Sequence, residues 1–151
     1  MEREEKILAT NRKARHLYFI QSTIEVGIAL TGTEVKALRQ GNANLADSYA
    51  VVKDGELWLH NFHISPFKHG GTHNHEPMRV RKLLAHKKEI RKLSVKLKEK
   101  GFTLVPLRVY FSGRHVKVEL GLARGKKMYD KRESVKRRDT ERELQRYIKR
   151  S

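Results

Sequence analysis

The sequence predicts a mainly β domain with about three helices, built as a small, partly open antiparallel β-barrel and followed by a basic C-terminal tail. Three observations lead there. Strand-length stretches with period-two alternation recur between residues 18 and 123, short glycine-containing breaks join two pairs of them, and beyond Ala123 apolar residues thin while charge becomes nearly continuous. A chain of 151 residues buries a core large enough for one such domain without metal or disulfide staples. The expected division is therefore a barrel over residues 1–123 and a tail over residues 124–151.

The elements follow in order. Tyr18 to Leu30, YFIQSTIEVGIAL, mixes alternation with β-branched residues and reads as a strand bent or bulged at Gly27. Thr31 and Glu34 have capping-box spacing, and Gly41 can end a helix in the left-handed region, which predicts a short helix over residues 33–40. Ser48–Val52 and Glu56–Ile64 are strands joined by Asp54-Gly55, a strong hairpin signal. The stretch from Ser65 to Pro77, with paired glycines and flanking prolines, is an exposed loop. Leu83, Ile90, Leu93 and Leu97 fall at helical spacing and predict a basic amphipathic helix from about Lys82 to Lys100, stopped by Gly101. Thr103–Phe111 and His115–Ala123 alternate again across Ser112-Gly113-Arg114, a second hairpin. Antiparallel strands with intervening helices in this order suggest a barrel of the oligonucleotide-binding type. The tail cannot build a core; it is expected to be disordered when free and helical against an anionic surface, with Leu144 and Ile148 one turn apart.

Charge points to the partner. The chain carries 34 Lys+Arg against 17 Asp+Glu, a net +17. Residues 1–78 hold 9 basic and 9 acidic side chains, and residues 79–151 hold 25 and 8, so the surplus lies entirely in the second half. A polyanion such as RNA answers that asymmetry through counterion release. An anionic membrane is the poorer match, because the basic segments lack an aromatic and aliphatic face to enter lipid. The absence of Cys removes disulfide frameworks and thiolate chemistry and fits a reduced cytosol. No leader-like apolar stretch follows the charged N-terminus, so a cytoplasmic protein without membrane partners is expected, as a monomer.

The chemical constellations argue against catalysis. His60, His63, His69, His73 and His75 crowd one stretch, but the first two fall on opposite faces of a regular strand and the others lie in a glycine-rich loop, so no metal site is assigned. Ser48 and Asp47 lack a nucleophile elbow, and no compact carboxylate cluster suits metal-assisted phosphoryl chemistry. Gly121 to Lys127, GLARGKK, is too short between its glycines for a Walker loop and lacks its hydroxyl. Its glycines and Arg124, Lys126 and Lys127 still suit close approach to phosphates, or a hinge between barrel and tail. Glu25 is suited to accept hydrogen bonds from base amino groups, although spacing alone favours a solvated face residue. Tyr129, alone among cations, is a candidate stacking residue. No catalytic residue and no cofactor are expected.

Several segments together resemble one family: NRKARHLYFI at 11–20, GIALTGTEVKALRQG at 27–41, LADSY at 45–49, EPMRVRKLLAHKKEI at 76–90, TLVPLRVYF at 103–111 and GLARGKKMYDKR at 121–132. The resemblance is to small protein B, the bacterial SsrA-binding protein, and it spans essentially the whole chain in order. It implies an oligonucleotide-binding-type barrel that binds the tRNA-like domain of transfer-messenger RNA and brings it to stalled ribosomes. By motif match, Asn11 and Glu25 belong to the RNA-binding face and Leu84 supports it; charge adds Arg12, Lys13, Arg81 and Lys82, and His16 lies in the same segment. By the same resemblance, Gly125, Lys126, Lys127, Tyr129, Asp130, Lys131 and Arg132 would act on the ribosome, in the decoding centre and empty messenger path, and charge adds the neighbouring Arg124. Composition alone fits a general RNA chaperone or ribosome-assembly factor equally well; a metal-dependent RNA-processing enzyme using the histidine loop is the third reading.

Overall fold

A computed structural model of the chain describes residues 5–99 and 101–126. Alternating apolar side chains need a shared interior, and the long strands supply it by pairing around a ring. The strands are β1 (Glu5–Thr10), β2 (Tyr18–Ile28), β3 (Ala43–Asn44), β4 (Tyr49–Lys53), β5 (Glu56–His60), β6 (His63–Ile64), β7 (Arg81–Leu84), β8 (Phe102–Ser112) and β9 (His115–Gly125). The helices are α1 (Ala14–Leu17), α2 (Gly32–Arg39) and α3 (Lys87–Leu97), with one 3-10 turn at Gly71–His73.

Antiparallel pairings run β8–β4–β5–β7–β2–β9 and return to β8, while β1 adds to the far end of β8. Two seams are thin: β4 and β8 share one register pair, Ala50 with Leu104, and β7 and β2 share two. The expected partly open antiparallel barrel is thus a ring of strands rather than a strict barrel. Val26, Leu57, Leu83, Leu104, Val118 and Leu120 fill its interior, closed by Leu38 of α2 and Ile90 of α3. A smaller cluster, Ala14, Val105, Leu107 and Ala123, seats α1 on the outside of β8 and β9. Among the described residues no helix is long and apolar enough to cross a membrane.

Local signals account for most of these elements. Thr31 and Glu34 form a reciprocal capping box on α2, and Gly41 adopts φ 75° beyond its end. Asp54 and Gly55 both take positive φ, as the two-residue turn between β4 and β5 requires.

Four expectations change. The bulge in β2 falls between Ile20 and Ser22, where Gln21 is the extra residue, and not at Gly27. Gly27 pairs regularly, and its missing side chain serves close approach: a Cβ there would sit 3.2 Å from that of Leu84. Residues 81–84 are a strand and not the first turn of a helix, because Arg81, Lys82 and Leu83 pair with β5 and bury alternate side chains. The helix begins only at Lys87, with the Glu89 carboxylate accepting from the His86 N–H at 3.3 Å. The second arm of the first hairpin stops at His60, where Asn61 turns to φ 60° and sends the chain to the small β3–β6 sheet. Finally, β1 lies where only a charged N-terminus was legible.

Candidate nucleic-acid interface

β9 lies between β2 and β8, and residues directly opposite one another in antiparallel strands share a face. One outward row is Thr10, Arg108, Glu119 and Glu25, read across β1, β8, β9 and β2. The next is Ile7, Tyr110, Lys117, Gly27 and Leu84, which continues onto β7. The alternate rows, such as Ala9, Val109, Val118 and Val26, face the core.

Glu25 is exposed but not loose. Its Oε2 accepts a hydrogen bond from the Tyr110 hydroxyl, and Tyr110 is itself 1% exposed. The Arg108 guanidinium lies 4.3 Å from the Tyr110 ring centroid and reaches Glu119 at 3.5 Å. A carboxylate anchored through one oxygen on a buried phenol is pre-oriented for further acceptor work at little entropic cost. Beside it, Glu25, Gly27, Leu84, His86, Glu89 and Lys117 line a shallow groove, with Leu84 half exposed. Bare backbone at Gly27 keeps the floor of that groove low.

Asn11 lies where the chain leaves β1. Its backbone N–H donates to Leu107 O at 2.8 Å and its Nδ2 to Pro106 O at 3.0 Å, at the bulge of β8. That anchor, with the buried Ala14, holds the α1 turn so that Arg12, Lys13 and His16 stand exposed. Thr10 and Glu25 are three strand spacings apart in one row, so the α1 turn borders the Glu25 face at roughly 14 Å.

Arg81 is a correction to the charge-based set. It is fully buried, and its guanidinium donates to Glu34, to Phe62 O and, at 3.2 Å, to Pro77 O. Glu34 is equally buried and also accepts from Arg79 at 2.6 Å and from Thr31 N at 2.8 Å. Burial pushes the Glu34 carboxyl up, but Arg79, the Thr31 N–H and Arg81 outweigh it and hold the group below the ordinary carboxylate range. Burial pulls the Arg81 guanidinium down against the raising effect of Glu34. This network fixes β7 against α2 and thereby places Leu84. Lys82, on the opposite face, pairs with Glu56 at 3.1 Å.

The tail root is a strand, not a hinge, up to Gly125. Arg124 stacks on Phe102 at 4.4 Å, Gly125 pairs with Tyr18, and Lys126 donates to Arg15 O at 2.7 Å. Lys127, Tyr129, Asp130, Lys131 and Arg132 lie outside the described residues. The histidines are dispersed: His60 stacks on Tyr49, and His75 is buried between Thr33 Oγ1 and Ile64 O. Among the described residues no group of three or more His, Cys, Asp or Glu is placed to hold a metal.

Sequence reasoning missed Tyr110, Arg108 and Lys117. The alternation Arg108-Val109-Tyr110 already puts the cation and the phenol on one face, but their pairing with Glu25 needs the strand order.

The model of the SmpB protein family matches residues 8–150. The chain belongs to the SmpB family. Among similar family members, the SsrA-binding protein of Carboxydothermus hydrogenoformans is 57% identical over 145 residues, covering 96% of this chain and 97% of the relative. That of Desulforudis audaxviator is 58% identical over 147 residues, covering 97% and 96%. A solved structure described as "tmRNA-SmpB: a journey to the center of the bacterial ribosome" superposes with a TM-score of 0.67 at 54% identity, covering 78% of this chain and 82% of that one.

Proposed function

We infer that this protein binds the tRNA-like domain of transfer-messenger RNA and delivers it to stalled ribosomes for trans-translation, the rescue and tagging of incomplete proteins. The observation that carries this is the family match from residue 8 to residue 150, with relatives near 57% identity over almost their whole length. The outer face adds a physical reason: an oriented carboxylate, an exposed leucine and a bordering cationic turn suit a folded RNA surface better than a uniform cationic patch does.

The protein is an adaptor with no chemical step of its own, working in the cytoplasm without a cofactor. Asn11, Arg12, Lys13, His16, Glu25, Lys82 and Leu84 form the RNA-facing set on the barrel, with Arg81 supporting from within. The segment from Arg124 through Gly125, Lys126, Lys127, Tyr129, Asp130, Lys131 and Arg132 engages the decoding centre and the empty messenger channel. The concentration of cations there supports that role, because rRNA phosphates surround any chain entering that path.

A reconstituted translation system on a message lacking a stop codon tests the division. A chain ending at Lys126, which keeps all of β9, is expected to bind the tRNA-like domain like the full chain and to lose tagging. Retained tagging would remove the tail from the mechanism.

A further inference from the structure

A second row, six residues back along β2 from Glu25, has no part in the face described above. Phe19 on β2, Arg124 on β9 and Phe102 on β8 are register partners and share one side of the sheet. At about 3.3 Å per strand residue this row lies roughly 20 Å from Glu25. With Gln21, with Lys96 of α3 and with Glu99 just beyond its end, to which Lys96 pairs at 3.6 Å on the exposed rim, these residues line a cavity of about 530 Å³.

Its chemistry is unusual for a structural pocket. Phe19 is 45% exposed, and Lys126 Nζ lies 5.1 Å from its ring centroid. Arg124 is stacked on Phe102, and its Nε is the one buried side-chain N or O atom among the described residues without a hydrogen-bond partner. A buried N–H left without an acceptor is a cost to the fold, and such costs gather at functional sites. The wall at Gln21 is the bulge of β2, a device that re-aims side chains beside binding sites.

We propose that this cavity takes one unpaired RNA nucleotide, its base stacked on Phe19 and the Arg124–Phe102 pair and its phosphate met by Lys96. Aromatic rings and arginine planes are the surfaces on which splayed bases stack, and Gln21 supplies both a donor and an acceptor for a base edge. Arg124 and Lys96 outnumber Glu99 in the lining, which favours an anionic ligand. The inference rests on the RNA-binding function and adds a single-stranded site to it.

The test uses the full chain and a hexaribonucleotide carrying one 2-aminopurine, at ~0.2 M salt to suppress purely electrostatic binding. The fluorophore should be quenched on binding, and Phe19→Ala should abolish the quenching and weaken binding about tenfold. Phe19→Trp should restore both, and a blunt RNA duplex should bind wild type and Phe19→Ala alike. Equal quenching by wild type and Phe19→Ala would overturn the proposal. So would tighter oligonucleotide binding by a chain ending at Lys126, which would mean that the protein's own later residues occupy the cavity. Binding of the tRNA-like domain, measured in parallel, reads the inferred function independently: its persistence alongside either result removes the cavity site alone.

Discussion

At the scale of single residues, Glu34 serves structure and Glu25 is the residue proposed for recognition. Glu34 is buried with two arginines and a backbone donor, so removing its charge strands Arg81 inside the fold. Glu34→Gln is expected to destabilise by about 3–5 kcal/mol at neutral pH, read by denaturant unfolding. The carboxyl's folded-state pKa lies below its value of 4.5 in the unfolded chain, so its contribution is complete above that pH and is lost as pH falls through the folded value. The gap between wild type and Glu34→Gln should therefore close in acid; a constant gap would remove the ion pair as its source. Glu25 is exposed, so Glu25→Ala should leave unfolding within about 0.5 kcal/mol of wild type. It should weaken binding to the tRNA-like domain about tenfold, the cost of one charge-assisted hydrogen bond. Tyr110→Phe should weaken it less, by freeing the carboxylate without deleting it.

At the scale of elements, the capping box makes α2 a local structure, and Thr31→Ala should cost about 1 kcal/mol in the same unfolding measurement. Elements of that kind were legible in the sequence: the 54–55 and 112–114 hairpins and α2 are set by residues within a few positions of one another. Where the deciding contact is distant, the reading slipped. Leu83 has helical spacing with Ile90, yet it joins a strand because β5 and β2 lie on either side of it. Arg81 reads as one more surface cation until Glu34, 47 residues earlier, is placed beside it. β1 was hidden by its charge, since an added outer strand needs few apolar residues of its own. Of the candidate site, Glu25 and Leu84 were reached through family motifs; the groove between them comes from strand order, which periodicity does not encode.

At the scale of the whole molecule, a neutral first half supplies much of the core and the second half carries the whole cationic surplus. Charge alone gives every RNA the same attraction, and that attraction fades steeply with salt. Selectivity needs fixed geometry, and the proposed face supplies it in the anchored Glu25, the low floor at Gly27 and the exposed Leu84. Competition binding at ~0.2 M salt, with the tRNA-like domain of transfer-messenger RNA set against excess bulk tRNA, measures that difference directly. A retained preference for the tRNA-like domain, lost in Glu25→Ala, is the result predicted; equal competition by bulk tRNA would contradict the adaptor function and leave a general RNA chaperone in its place.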